Sequence, residues 1–316
     1  MMSMLNSFTI LLCGLGVFLL GVRMLGKSVE LLIVGKAKAK LEREKNPVKG
    51  LLIGTTTAAV AHSSSAICVL SLGLCSSGMI ALPFAASIVL GANIGTTFTA
   101  LFSALSVLDI SLYLGLLVVV GLGVGMAKKQ QIAKWSQPLM GLGLIFIGLN
   151  IVSNAFDGSI FANFLANLFA KVSFAPLLIL LSFVFTAIVQ SSTLTTTIAI
   201  GLSVARVITP YNAMFLVLGA DSGTCITTLI ASIGGHPKAK QLAKFQVWFN
   251  VLSTIVFGII LTLLHPLIAM SINQLGNPAF AIALFHFGFN AIGAVVTLPF
   301  LPYLFAQDKP IPVGVS

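Results

Sequence analysis

His62-Ser63-Ser64-Ser65 recurs 128 residues later as Gln190-Ser191-Ser192-Thr193, and the stretch GANIGTT, Gly91 to Thr97, recurs at the same offset as GADSGTC, Gly219 to Cys225. A weaker echo pairs GLGVFLLG, Gly14 to Gly21, with GLGLIFIG, Gly141 to Gly148, at an offset of 127. Self-similarity at a long fixed period is the mark of a duplicated structural unit. The repeat sets the domain reading: residues 1–137 form a first transmembrane unit, and residues 138–316 a second with an extra C-terminal span.

Composition says what solvent the units meet. Of 316 residues, 58% are hydrophobic and 8% charged, with a mean hydropathy of +1.09, against about 25% charged in an average soluble domain. The net charge of +10 does not indicate a nucleic-acid binder, because the 17 Lys and Arg are few and clustered, unlike a phosphate-tracking surface. Cys13, Cys68, Cys75 and Cys225 lie in apolar stretches without metal-ligand spacing and read as packing residues. The expected fold is an all-α polytopic membrane protein.

A membrane helix needs about 20 apolar residues. The uncharged run from Gly50 to Leu108 is long enough for nearly three spans, yet its first half carries Thr55, Thr56, Thr57, His62, Ser63, Ser64 and Ser65. Lipid does not tolerate such a cluster on a helix surface. Positive residues collect in short cytoplasmic loops, and here they form clusters at Arg23 to Lys49, at Lys128, Lys129 and Lys134, and at Lys238, Lys240 and Lys244. The clusters share a side only if the segments at about 50–79 and about 172–205 dip in and return as re-entrant helical hairpins. The count is then seven spans plus two hairpins, with the N-terminus outside, the C-terminus inside and 15 of 17 basic residues in the cytoplasm. Lys171 and Arg206 are left outside. An odd number of crossings per unit turns the second unit over, which is the inverted-repeat plan of secondary transporters, with substrate near the midplane.

The clusters suit particular ligands. Hydroxyls of Ser63, Ser64 and Ser65 on one hairpin and Ser191, Ser192 and Thr193 on the other, preceded by His62 and Gln190, would combine with N–H groups at a helix start to cradle a phosphate-like anion. The stretches GANIGTT and GADSGTC are expected to break their helices at glycine, setting Asn93, Thr96 and Thr97, and Asp221, Ser222 and Thr224, beside freed carbonyls fit for sodium. Asp221 stands out as an acid at membrane depth, although it could instead cap a half-helix starting at Ser222. A third echo, at an offset of 40, places Gln246 with Asn250 and His286 with Asn290 on one helix face each. These either line the site or tie helices together.

At these residues the chain resembles the type II sodium-phosphate cotransporter family, whose repeats each carry a Gln-Ser-Ser-Ser-type hairpin and a Gly-Ala-Asn-Ile-Gly-Thr-type stretch. Gln190, Ser191 and Ser192, Ser63 to Ser65, and Gly91 to Thr97 match; His62, Thr193 and Asp221-Ser222 depart from the pattern. The resemblance implies symport of inorganic phosphate by alternating access in a bacterial cytoplasmic membrane. Sodium ions would be the coupling ion, with no organic cofactor and no enzymatic activity. A sodium- or proton-coupled symporter of another oxyanion or a small carboxylate would keep the same repeats. An ion channel fits broken-helix repeats less well. An intramembrane serine hydrolase, using Ser222 with His286 or His62, would explain neither the duplicated hydroxyls nor the paired glycine stretches.

Overall fold

The computed structural model describes residues 9–18, 44–61, 63–106, 116–128, 135–156, 174–233 and 235–306, with single residues 6, 20, 21, 24 and 133. His62 lies outside them, as do Lys129, Lys134, Asp157, Lys171 and Lys309 of the charge pattern. The described residues are helical throughout, without strands: α1 (Thr9–Phe18), α2 (Pro47–Ala61), α3 (Ser64–Ser76), α4 (Leu82–Ser106), α5 (Leu117–Gly125) and α6 (Ser136–Phe156) in the first part. There follow α7 (Ala175–Val189), α8 (Ser192–Val204), α9 (Pro210–Ser232), α10 (Pro237–Leu263), α11 (His265–Leu275) and α12 (Pro278–Thr297), then a 3-10 turn (Leu298–Phe300) and α13 (Leu301–Leu304).

The helix starts are written locally. Pro47, Pro210, Pro237 and Pro278 open α2, α9, α10 and α12, where proline's fixed φ suits the first turn and its missing N–H costs nothing. Thr209 and Asn277 cap α9 and α12 by accepting the N–H of Asn212 and Phe280. In the first turn of α2, Lys49 pairs at 2.7 Å with Glu44, three residues before the helix, and holds its carboxyl below the usual carboxylate range.

The 128-residue period reaches the element boundaries. Helix α2 corresponds to α7, α3 to α8, and the start of α4 at Leu82 to that of α9 at Pro210. Packing follows the same pairing, with α2 against α4 and α7 against α9, while α3 and α8 fold back on α4 and α9 in turn. Each return helix also reaches the other half: α3 touches α9 and α10, and α8 touches α4.

Among the described residues four helices are long and apolar enough to cross a membrane: α4 and α9 are mostly buried (89% and 72% of their apolar windows), whereas α10 and the α12–α13 stretch are not (33% and 44%). The first pair is thus the centre, and the second pair turns Leu252, Ile255, Ile259, Val295 and Val296 outward, as a lipid-facing surface requires. The other three expected spans fall on α1, on α5 and on α6, of which only 9–18 and 136–148 stand as shorter apolar helices.

One expectation is overturned. GANIGTT and GADSGTC do not break their helices: α4 runs unbroken over 25 residues and α9 over 23. Their glycines serve contact. A Cβ on Gly91 would strike the Leu51 carbonyl and the Thr55 backbone of α2, and one on Gly219 would strike the Ile179 carbonyl of α7. A glycine inside a helix costs only about 1 kcal/mol relative to alanine. Here its small size lets two backbones approach, the usual role of small residues between membrane helices.

Candidate functional site

Each hydroxyl cluster sits at the junction of two short helices. Ser63 and Ser191 are N-caps, in extended conformation, whose Oγ atoms accept the N–H of Ala66 at 3.2 Å and of Leu194 at 3.3 Å. Gln190 closes α7 in a left-handed conformation, φ 57°, and donates its N–H to the Thr186 carbonyl. Ser64 and Ser192, each the first helical residue, are buried, while Ser65 and Thr193 are half-buried. A helix start leaves its first N–H groups without intrahelical acceptors. Ser64 and Ser65, and Ser192 and Thr193, therefore offer backbone donors next to hydroxyls, a neutral arrangement able to hold an anion.

Thr186 and Thr195 hydroxyls meet at 2.7 Å across the second junction, and Ser182 Oγ donates to the Leu216 carbonyl of α9. The sequence reading missed Thr186. Its signal was its place one turn before Gln190.

The middles of α4, α9, α10 and α12 converge on a second polar centre. Asn93 Nδ2 donates to Asn250 Oδ1 at 2.7 Å, and Asn290 Nδ2 donates to Asp221 Oδ2 at 2.7 Å. The same pair of positions meets twice, with donor and acceptor exchanged, because Asn93 and Asp221 are equivalent at 128 residues and Asn250 and Asn290 at 40. Asn250 Nδ2 also donates to the Asp221 backbone carbonyl at 3.0 Å, joining the two.

His286 Nε2 lies 3.2 Å from both Asp221 carboxylate oxygens. In the tautomer that carries its hydrogen on Nε2, His286 donates to this carboxylate, and its Nδ1 is buried without a partner among the described residues. The Asp221 side chain keeps 12% exposure against 3% for His286, so one edge of the carboxylate is open. Ser222 Oγ pairs with Thr254 Oγ1 at 2.7 Å and donates to the Asn250 carbonyl at 3.2 Å. Thr254 was missed, although it lies one turn beyond Asn250 on the same face.

The structure thus brings together Asn93, Asp221, Ser222, Asn250, His286 and Asn290. Thr96, Thr97 and Thr224 turn their hydroxyl hydrogens to carbonyls of their own helices, at Ala92 and Asn93, Ile94 and Ala220. Gln246 is wholly buried, and among the described residues neither of its amide atoms meets the hydrogen-bond geometry. The capping role for Asp221 is ruled out, since α9 begins eleven residues earlier at Pro210. The pairing of Ser222 with His286 is not formed either, since the Ser222 hydroxyl meets Thr254 and a carbonyl and His286 Nε2 meets Asp221; the other pairing, with His62, lies outside the described residues.

Two equivalent hydroxyl-bearing helix junctions and a polar centre set within apolar, membrane-length helices mark a helical membrane protein. The chain belongs to the Na+/Pi-cotransporter family, which it matches twice, over residues 17–154 and 156–294. This is a family of transporters, not of enzymes, and the chain is an integral membrane protein of phosphate transport. It is similar to YqeW of Bacillus subtilis, a protein without an assigned function, with 32% identity over 94% of this chain and 95% of that one. It is also similar to YjbB of Escherichia coli and of Salmonella typhimurium, provisionally named for inorganic phosphate export, at 28% identity. The chain spans about half the length of these, 47% and 46%. No solved structure matches the chain.

Proposed function

We propose that this protein is a secondary active transporter in which sodium drives inorganic phosphate across a bacterial cytoplasmic membrane by alternating access. The observation that carries the reading is the duplication of one device, a helix, a Ser-rich junction and a return helix packed on a long apolar helix. In this reading, residues 1–137 and 138–316 are repeats of opposite orientation, and α2–α3 and α7–α8 are re-entrant hairpins. Their 13–15 residues per helix reach roughly 20 Å, short of the hydrocarbon core of about 30 Å.

Phosphate is held between the junctions by Ser63, Ser64 and Ser65 and by Ser191, Ser192 and Thr193, flanked by His62 and Gln190. Weak neutral donors allow release as well as capture. Sodium binds at Asp221 with Ser222 and Thr224, and at Asn93 with Thr96 and Thr97. A hydroxyl that has given its hydrogen to a carbonyl still presents oxygen lone pairs to a cation. Gln246, Asn250, His286 and Asn290 line the space between.

Labelled phosphate in proteoliposomes tests this directly. An inward sodium gradient is expected to raise initial uptake at least tenfold over a potassium control, with no competition from sulfate. Uptake that ignores sodium would remove the reading. The His286–Asp221 contact favours a second coupling ion, the proton; a pH gradient in sodium-free buffer isolates it. Direction follows the gradients, and reversing the sodium gradient is expected to reverse net flux, which accommodates the export role in YjbB's name.

Topology is checked by cysteines placed singly at Lys45, Lys129 and Gly276. The first two are expected to react with an impermeant maleimide only from the cytoplasmic side and the third only from outside. Labelling of positions 45 and 129 from opposite sides would sink the re-entrant arrangement.

A further inference from the structure

Away from the polar centre, an open groove of about 830 Å³ runs between α10 and the end of the α12–α13 stretch. Its α10 wall carries Lys244, Trp248, Leu252 and Ile255, at intervals of four, four and three residues and hence on one helical face. Tyr303 stands opposite. Trp248 and Tyr303 are 73% and 80% exposed, too open for a protein core. They are the residue types that settle where hydrocarbon meets headgroup.

Three features set the chemistry of the occupant. The first is charge: Lys238, Lys240 and Lys244 fall at the same end of α10, and among the described residues neither that helix nor the groove lining contains Asp or Glu. The second is length: from Lys244 to Ile255 the helix rises roughly 16 Å, half of a hydrocarbon core of about 30 Å and so the depth of one leaflet. The third is order, since lysine comes first, Trp one turn deeper, and branched aliphatics below, with Leu252 and Ile255 exposed. A free anion would use only the lysine end. A neutral lipid would use only the apolar wall.

We propose that this groove seats one anionic glycerophospholipid, its headgroup phosphate at Lys244, its glycerol level beside Trp248 and Tyr303, and an acyl chain along Leu252 and Ile255. The assignment is independent of which solute the polar centre carries. A basic pocket between membrane helices that meets an acyl-length apolar wall is a headgroup-selective site.

Native mass spectrometry of the full chain, released from mixed phosphatidylglycerol and phosphatidylcholine, is the test. The wild type is expected to retain one phosphatidylglycerol in preference to phosphatidylcholine. Lys244→Gln is expected to lower that preference about fivefold, the scale of one basic contact at a lipid surface, and Lys244→Arg to restore it. Equal preference in wild type and Lys244→Gln overturns the proposal. So does displacement of the bound mass by millimolar inorganic phosphate, which would make this an ion site. Retention that appears only after truncation behind Ala306 would place residues 307–316 in the groove and overturns it too. A lipid-free dimer split by Trp248→Ala would do the same in favour of a second copy.

Discussion

Asp221→Asn is expected to raise the sodium concentration for half-maximal phosphate uptake at least tenfold, about 1.4 kcal/mol of lost cation binding, and to change the charge moved per cycle. The substitution keeps shape and most of the hydrogen bonding, because an amide oxygen still accepts from His286 or Asn290. What it removes is the negative charge, in a setting where water does little screening. Asp221→Leu goes further and is expected to cut transport at least a hundredfold. It strands one Asn290 N–H and His286 Nε2 among buried helices, leaving Asn290 only its bond to the His286 carbonyl, and each unpaired polar group costs about 1–3 kcal/mol. Sodium dependence in reconstituted vesicles, with phosphate binding measured in parallel, reads both. Wild-type sodium dependence in Asp221→Asn would remove Asp221 from the coupling site and leave the hairpin assignment standing.

Gly91→Val is expected to abolish assembly of the membrane domain, and Gly219→Val to do the same in the second half. The new side chain meets backbone on both occasions, Leu51 and Thr55 in one case and Ile179 in the other. Backbone in a helix cannot rotate aside as a flexible side chain can. The helix pair must separate, forfeiting the tight contact of α2 with α4 or α7 with α9, so the loss is expected to pass the roughly 1–3 kcal/mol usual for overpacking and to reach the exceptional range above about 4 kcal/mol. Gly288→Ala is the control. Nothing lies within 4 Å of its hypothetical Cβ, so removing a helical glycine there is expected to be neutral or to stabilise by up to about 1 kcal/mol. Size-exclusion of heated, detergent-solubilised protein distinguishes the outcomes. A monodisperse Gly91→Val protein with wild-type heat resistance would contradict the close-contact role.

Much of the architecture was open to a reader of the sequence. Hydroxyl runs and glycine stretches at one fixed offset disclose a duplication without any knowledge of packing, and two pairs of short helices, within Pro47 to Ser76 and Ala175 to Val204, occupy the Ser-rich segments at about 50–79 and 172–205. The prolines at 47, 210, 237 and 278 mark helix starts because their effect on φ acts within one turn. The rarity of acids singled out Asp221. Its partners were half legible: the offset-40 echo marked His286 and Asn290 as polar positions on one face, but not that both would turn to the same carboxylate.

The glycines show why the rest was hidden. Gly91 in a sequence is compatible with a break in its helix or with a neighbour pressed against it, because both uses need only the absence of a Cβ. The decision belongs to α2, some forty residues earlier, whose carbonyls occupy the space. Likewise Asn93 and Asn250 are 157 residues apart and bond only because α4 and α10 meet. By itself the sequence determined the duplication, the helix starts, the membrane setting and the chemical kinds of ligand group, since each is a local property of residue type and spacing. Only the tertiary structure decided that the glycines join helices instead of breaking them, and that one acid is shared between His286 and Asn290. Those outcomes depend on which surfaces come together, and no window along the chain contains both.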